Sequence, residues 1–152
     1  MKYFTFSEFQ DSEKARELGI DNRMPEIAEA HVVELVDILL DPLREAWGGP
    51  LIVTSGYRCP ELNEAVGGSE TSAHLAGWAA DLVPDGDDPR GVQGLVDFAM
   101  EWLTATGLPF DQMIFEHAGS SRWLHVGIRN LKGEQRRQVM RYENGKYYIA
   151  DE

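Results

Sequence analysis

The stretch "TSAHLAGWAADLVP", Thr71 to Pro84, sets His74 seven positions ahead of Asp81 with mostly small or apolar residues between them. Its second half, Ala79 to Val83, reads as a buried strand. An ionised carboxylate in such a strand is costly unless a cation or several donors meet it. A divalent metal is one such cation. Gly77 supplies the sharp turn between the histidine and the strand.

Working outward, Ile27, Leu35, Ile38, Leu39, Leu43 and Trp47 recur at steps of three and four, so Pro25 to Trp47 is expected to be a helix, kinked at Pro42. "GGP" at 48–50 breaks it, and "LIVTSGY" follows as an expected buried strand. After Cys59, "PELNEAV" has the proline start and glycine stop of a short helix. Asp88 before Pro89 predicts the start of a second long helix, which Gly107 ends. Beyond Pro109, "FDQMIFE" and "RWLHVGI" read as two strands around a short polar loop. Asn144 and Gly145 join a last pair, "RQVMRY" and "KYYIA", as a hairpin. These elements predict one α+β domain over 1–152, a mainly antiparallel sheet with helices packed on one side.

Composition narrows the function. A chain of 152 residues, 43% hydrophobic, can bury a real core. Its net charge of −12 argues against nucleic acid and anionic membrane as partners. Cys59 is the only cysteine, so no internal disulfide is available. No signal-peptide core or membrane span can be drawn in the chain, which is therefore expected to be made in the cytoplasm and to act as a monomer.

Alternation assigns faces in the last third. Leu124, Val126 and Ile128 share the apolar face of their strand, which turns Trp123 and His125 to the other. In the preceding strand Gln112, Ile114 and Glu116 share a face. If the two runs form a hairpin, Glu116 and His125 lie on the same side of the sheet. His74, Asp81 and His125 would then offer two imidazoles and one carboxylate, with a fourth position left for water, as in catalytic zinc sites. Spacing alone also admits plainer readings, in which each histidine is an ordinary satisfied residue and Asp81 pairs with an arginine such as Arg58.

The run Ser55 to Leu82, with its Ser72-x-His74 and Asp81, followed by "FDQMIFE" and "WLHV", resembles the zinc D-alanyl-D-alanine carboxypeptidase family. That family includes D,D-dipeptidases, phage L-alanyl-D-glutamate endopeptidases and the related hedgehog fold. The opening "FTFSEF" and the basic closing strand resemble its small phage and prophage branch. The resemblance implies a hedgehog/DD-peptidase-like fold, Zn2+ held by His74, Asp81 and His125, and a peptidoglycan stem peptide as substrate. It further implies that Arg58 contacts substrate or the developing oxyanion, and that Ser72 contacts substrate. Gln112 and Trp123 are added as substrate-binding candidates, although Trp123 and Trp78 could equally be core aromatics.

One position departs from the pattern. Arg122 stands three residues before His125, where many family members carry the acidic general base, and an arginine cannot accept a proton. Glu116 is favoured as the base because of its face, Asp111 is a second candidate, and a domain that binds zinc without turnover is the third possibility. The expected function is a zinc peptidase of peptidoglycan, released in phage fashion to reach the wall. The alternative is a non-catalytic zinc-binding module, for example of a phage particle.

Overall fold

Six strands form one sheet in the order β1-β2-β4-β3-β5-β6, seen in a computed structural model that describes residues 1–149. The strands are β1 Leu51–Ser55, β2 Ala79–Pro84, β3 Gln112–Ala118, β4 Ser121–Gly127, β5 Gln138–Glu143 and β6 Lys146–Ile149. Ala150, expected at the end of the last strand, lies outside the described residues. Every pairing is antiparallel except β3 with β5, which run parallel. The β5–β6 hairpin turns at Asn144 and Gly145, both at positive φ, as the Asn-Gly pair predicts.

The helices are α1 Phe6–Gln10, α2 Glu13–Leu18, α3 Glu26–Leu35, α4 Asp41–Trp47, α5 Pro60–Ala65 and α6 Gly91–Thr106. The long ones cover one face of the sheet. Leu35, Leu39, Leu43, Leu95, Ala99 and Leu103 meet Ala80, Leu82, Met113, Leu124 and Val126 there in a single buried cluster. Among the described residues no helix is long and apolar enough to cross a membrane.

Several local expectations are corrected. The Pro42 kink is a π-helical segment, Val36–Leu40, in which the Asp41 N–H reaches back five residues to the Val36 carbonyl. The wider turn accommodates a proline that has no N–H to donate and whose ring crowds the preceding turn. β1 is an edge strand with only Leu51 buried, so its apolar composition reflects one covered face, not two. The second long helix begins at Gly91. Asp88 instead ends the preceding turn, where its carboxylate binds the Arg90 N–H and guanidinium. Helices α1 and α2 carry too short an apolar period to be read from sequence.

Two glycines let these layers approach the functional face. A Cβ on Gly56 would stand 2.6 Å from the Phe9 Cα and carbonyl oxygen, where α1 crosses the chain leaving β1. The Tyr57 N–H donates to that Phe9 carbonyl at 2.7 Å, closing the crossing. Gly77 has φ +78°, and a Cβ there would lie 2.7 Å from the Ala28 carbonyl of α3. Gly77→Ala is therefore expected to destabilise the protein by about 1–3 kcal/mol through strain and contact together. Urea unfolding followed by circular dichroism checks it, and an unchanged midpoint would mean that α3 yields freely.

Candidate metal centre

Asp81 enters the site because β2 alternates. Ala80 and Leu82 point into the helix-covered core, which leaves Asp81 on the opposite face. Register then builds a row across the sheet, with Ser55 of β1 beside Asp81, Asp81 beside His125 of β4, and His125 beside Ile114 of β3. A bulge between Val53 and Ser55 brings Ser55 into that row. His74 arrives from a 3₁₀ turn, Ala73–Ala76, which the Ser72 hydroxyl caps by accepting the His74 N–H at 3.2 Å. Helix α3 fixes the far end of this turn. His31 bonds the Ala76 carbonyl at 2.7 Å through Nδ1 and stacks on Trp78 with ring centroids 3.8 Å apart.

The three side chains converge. His74 Nε2 lies 3.2 Å and His125 Nδ1 3.1 Å from the same Asp81 oxygen, Oδ1, and one ligand atom from each residue lies within 4.8 Å of the others. All three residues are buried, at 2%, 7% and 7% exposure for His74, Asp81 and His125. The His74 Nδ1–H donates to the Gly56 carbonyl at 2.6 Å. Burial holds the His74 pKa below the ordinary value, against the pull of Asp81, and so disfavours a second ring proton on Nε2. With Nδ1–H committed to Gly56, Nε2 is joined to the Asp81 oxygen either by that second proton or by a metal ion. The donor set therefore fits a divalent metal, with the Gly56 carbonyl fixing the tautomer from outside.

Asp81 and His125 respond to the same closeness. Burial alone would raise the Asp81 pKa, but His74 and His125 outweigh it and hold the carboxyl well below the usual range. Burial disfavours the His125 cation, yet its bond to Asp81 and the charges of Asp81 and Glu116 raise it overall.

Arg58 closes one side. Its Nε donates to Ser55 Oγ at 3.1 Å and its Nη1 to Asn63 Oδ1 at 2.9 Å, while Nη2 stands 3.7 Å from Asp81 Oδ2. Asp81 thus faces both partners that the sequence offered as alternatives, the imidazoles through Oδ1 and the guanidinium through Oδ2. Asn22 anchors this segment through the Tyr57 carbonyl and the Cys59 N–H. Burial lowers the Arg58 pKa, opposed by the charges of Asp81 and Glu116.

Glu116 sits on the same face as His125, paired with Trp123 one step nearer the hairpin turn. Burial raises its pKa, His125 lowers it, Asp81 raises it and Arg58 lowers it, with a net rise. It makes no hydrogen bond or ion pair among the described residues. Asp111 is buried and fully engaged. Its two oxygens take the Arg136 N–H, Nε and Nη2 at 2.8–3.0 Å. Arg122 turns back onto the Gly119 and Ser121 carbonyls of its own hairpin.

Arg58, His74, Asp81, Asp111, Glu116 and His125 line a cleft of about 1230 Å³, together with Ser72, Gln112 and Trp123, and Arg122 does not. The Gln112 amide also donates to Gln138 at 3.1 Å. Trp78 packs against the core and His31 instead. Sequence reading missed Met140, Tyr142 and Tyr147 of the last hairpin, which line the same cleft. Their signal, alternation about Asn144–Gly145, was present, but the parallel docking of β5 on β3 that carries them there was not readable. The basic run "RRQVMR" balances its surroundings, with Arg136 on Asp111, Arg137 over the Phe110 ring and Arg141 near Glu143.

A helix-backed sheet with a buried His–Asp–His set in an open cleft defines a candidate metal centre, and a family match makes it that of a metallopeptidase. The chain belongs to the Peptidase M15 family, whose model it matches over residues 2–114. The α+β fold is accordingly hedgehog/DD-peptidase-like, and peptidases of this family depend on zinc. No curated protein matches the chain. The family match includes His74 and Asp81 and ends before Glu116 and His125, which strand pairing brings to the same place. Arg136→Ala should destabilise the protein by about 2 kcal/mol, because it strips a buried carboxylate of its main partner while the arginine itself is partly exposed. Equilibrium denaturation measures this, and no loss would show that Asp111 is satisfied without Arg136.

Proposed function

We propose that this protein hydrolyses an amide bond in peptidoglycan stem peptides, D-Ala-D-Ala or L-Ala-D-Glu, using Zn2+ held by His74 Nε2, Asp81 Oδ1 and His125 Nδ1. The observation that carries the reading is the meeting of those three atoms beside a carboxylate, Glu116, with no partner of its own among the described residues. The bound metal would supply a Lewis acid that polarises the scissile carbonyl and activates water at neutral pH.

The chain's own groups do the rest. Glu116 takes a proton from the attacking water and passes it to the leaving nitrogen, a role suited to a carboxyl whose pKa burial has raised toward neutrality. Arg58 offers Nη2 to the oxyanion, since its other two nitrogens are already spent on Ser55 and Asn63. Such a donor contributes about 3–4 kcal/mol when well placed. Ser72 and Asn63 act as positioning residues, the first on the turn that carries His74 and the second on Arg58. Gln112 and Trp123 line the cleft on either side of the Ile114–His125 pair and contact substrate.

The second reading, a zinc-binding module without turnover, draws on Arg122 at the position of the usual acid. Release of new amino groups from purified peptidoglycan, with and without a chelator, separates the two. The enzyme should give chelator-sensitive release, whereas stoichiometric zinc without release would establish the module. Glu116→Gln should retain zinc and lose at least about 100-fold in kcat, by the usual scale of a general base. His125→Ala should lose both zinc and activity. Retention of full rate by Glu116→Gln would remove Glu116 from the mechanism.

A further inference from the structure

The β5–β6 hairpin brings an unpartnered phenol into the cleft. β5 docks parallel on β3 with Ile114 beside Met140 and Phe115 beside Arg141, and the next residues of the two strands, Glu116 and Tyr142, both line the cleft. Tyr142 pairs in turn with Tyr147 across the hairpin, and their rings lie 4.8 Å apart. Trp123, Glu116, Tyr142 and Tyr147 therefore form one row over four adjacent strands, and all four line the cleft. The row contains one carboxylate bounded by aromatic rings.

The Tyr147 hydroxyl donates no hydrogen bond to any described residue. Although 56% of Tyr147 is exposed, its phenol feels the site, because desolvation raises its pKa first and the charges of Glu116, Tyr142 and Asp81 raise it further. It is protonated at any pH where the enzyme would work, and so it is a standing donor. Strand spacing of roughly 4.8 Å puts β6 about 10 Å from β3, so the phenol reaches the flank of the reacting centre and not the scissile bond itself. A peptide that crosses the cleft at Glu116 toward β6 passes along this row. Its backbone carbonyls are the acceptors that such a donor can meet.

We propose that Tyr147 is a substrate-binding residue whose phenol donates a hydrogen bond to a backbone carbonyl of the peptide, beside the bond that is cut, while the Tyr142 ring supports it. This rests on the peptidase reading above. A neutral hydrogen bond made equally before and during reaction acts on KM and leaves kcat alone.

The test is steady-state amino-group release from soluble peptidoglycan fragments by the full chain and its Tyr147→Phe and Tyr147→Ala variants, with zinc content measured for each. Tyr147→Phe should raise KM roughly three- to tenfold, with kcat within about twofold and zinc unchanged, and Tyr147→Ala should raise KM further. If Tyr147→Phe keeps the original KM while the unsubstituted protein hydrolyses normally, the proposal falls and the peptidase reading stands. A fall in kcat or in zinc content would also overturn it, since the residue would then act through the metal centre. Absence of release by the unsubstituted protein would defeat both.

Discussion

The structure turns on one buried carboxylate. Asp81 sits in a strand whose neighbours face an apolar core, and its ionised form needs positive charge or donors from three directions. Two imidazoles reach one oxygen and a guanidinium stands near the other, and each comes from a different part of the chain. With His74 Nδ1 committed to Gly56, its Nε2 joins His125 Nδ1 and the Asp81 carboxylate around a common centre. Such a donor set suits a divalent ion.

Much of the surrounding fold serves to hold the contributors still. Helix α3 presses on the turn after His74 through His31, Trp78 and the bare backbone of Gly77, while α1 presses on the segment before Arg58 through Gly56. The bulge in β1 and the Ser72 cap make finer adjustments of the same kind. Ligands on a strand, a paired strand and a clamped turn lose little freedom when a metal binds, which favours affinity and fixed geometry. The long helices are packed on the opposite face, and the cleft side of the sheet is bordered only by the short α1, α2 and α5.

The two hairpin strands treat their charged residues differently. Arg122 folds onto its own hairpin turn, whereas Glu116, directly opposite Trp123 on the neighbouring strand, presents to the cleft a carboxylate without a partner among the described residues. Arg122 pairs with His117 and so lies on the opposite side of the sheet from Glu116 and His125, which share the cleft face. Asp111, equally acidic in the sequence, is instead consumed by Arg136. The difference between the two carboxylates lies in their partners, not in their chemistry.

Strand and helix identity for most of the chain, the shared face of Glu116 and His125, and the anomaly of Asp81 were legible in the sequence, because each rests on local periodicity or on the cost of burying a charge. The family motif reinforced the three metal-ligand candidates that the strand faces had already offered. Local pattern carried less where a long-range contact decided the outcome. The π segment before Pro42, the edge position of β1 and the start of α6 all depend on what packs or bonds beside them. The parallel union of β3 and β5 is of the same kind, and with it the presence of Tyr142 and Tyr147 in the cleft, since strands distant along the chain pair by shape and register that no short window contains. Sequence by itself determined which residues could bind a metal. Only the tertiary structure decided that they meet, because convergence is a property of three separate backbones packed against one core.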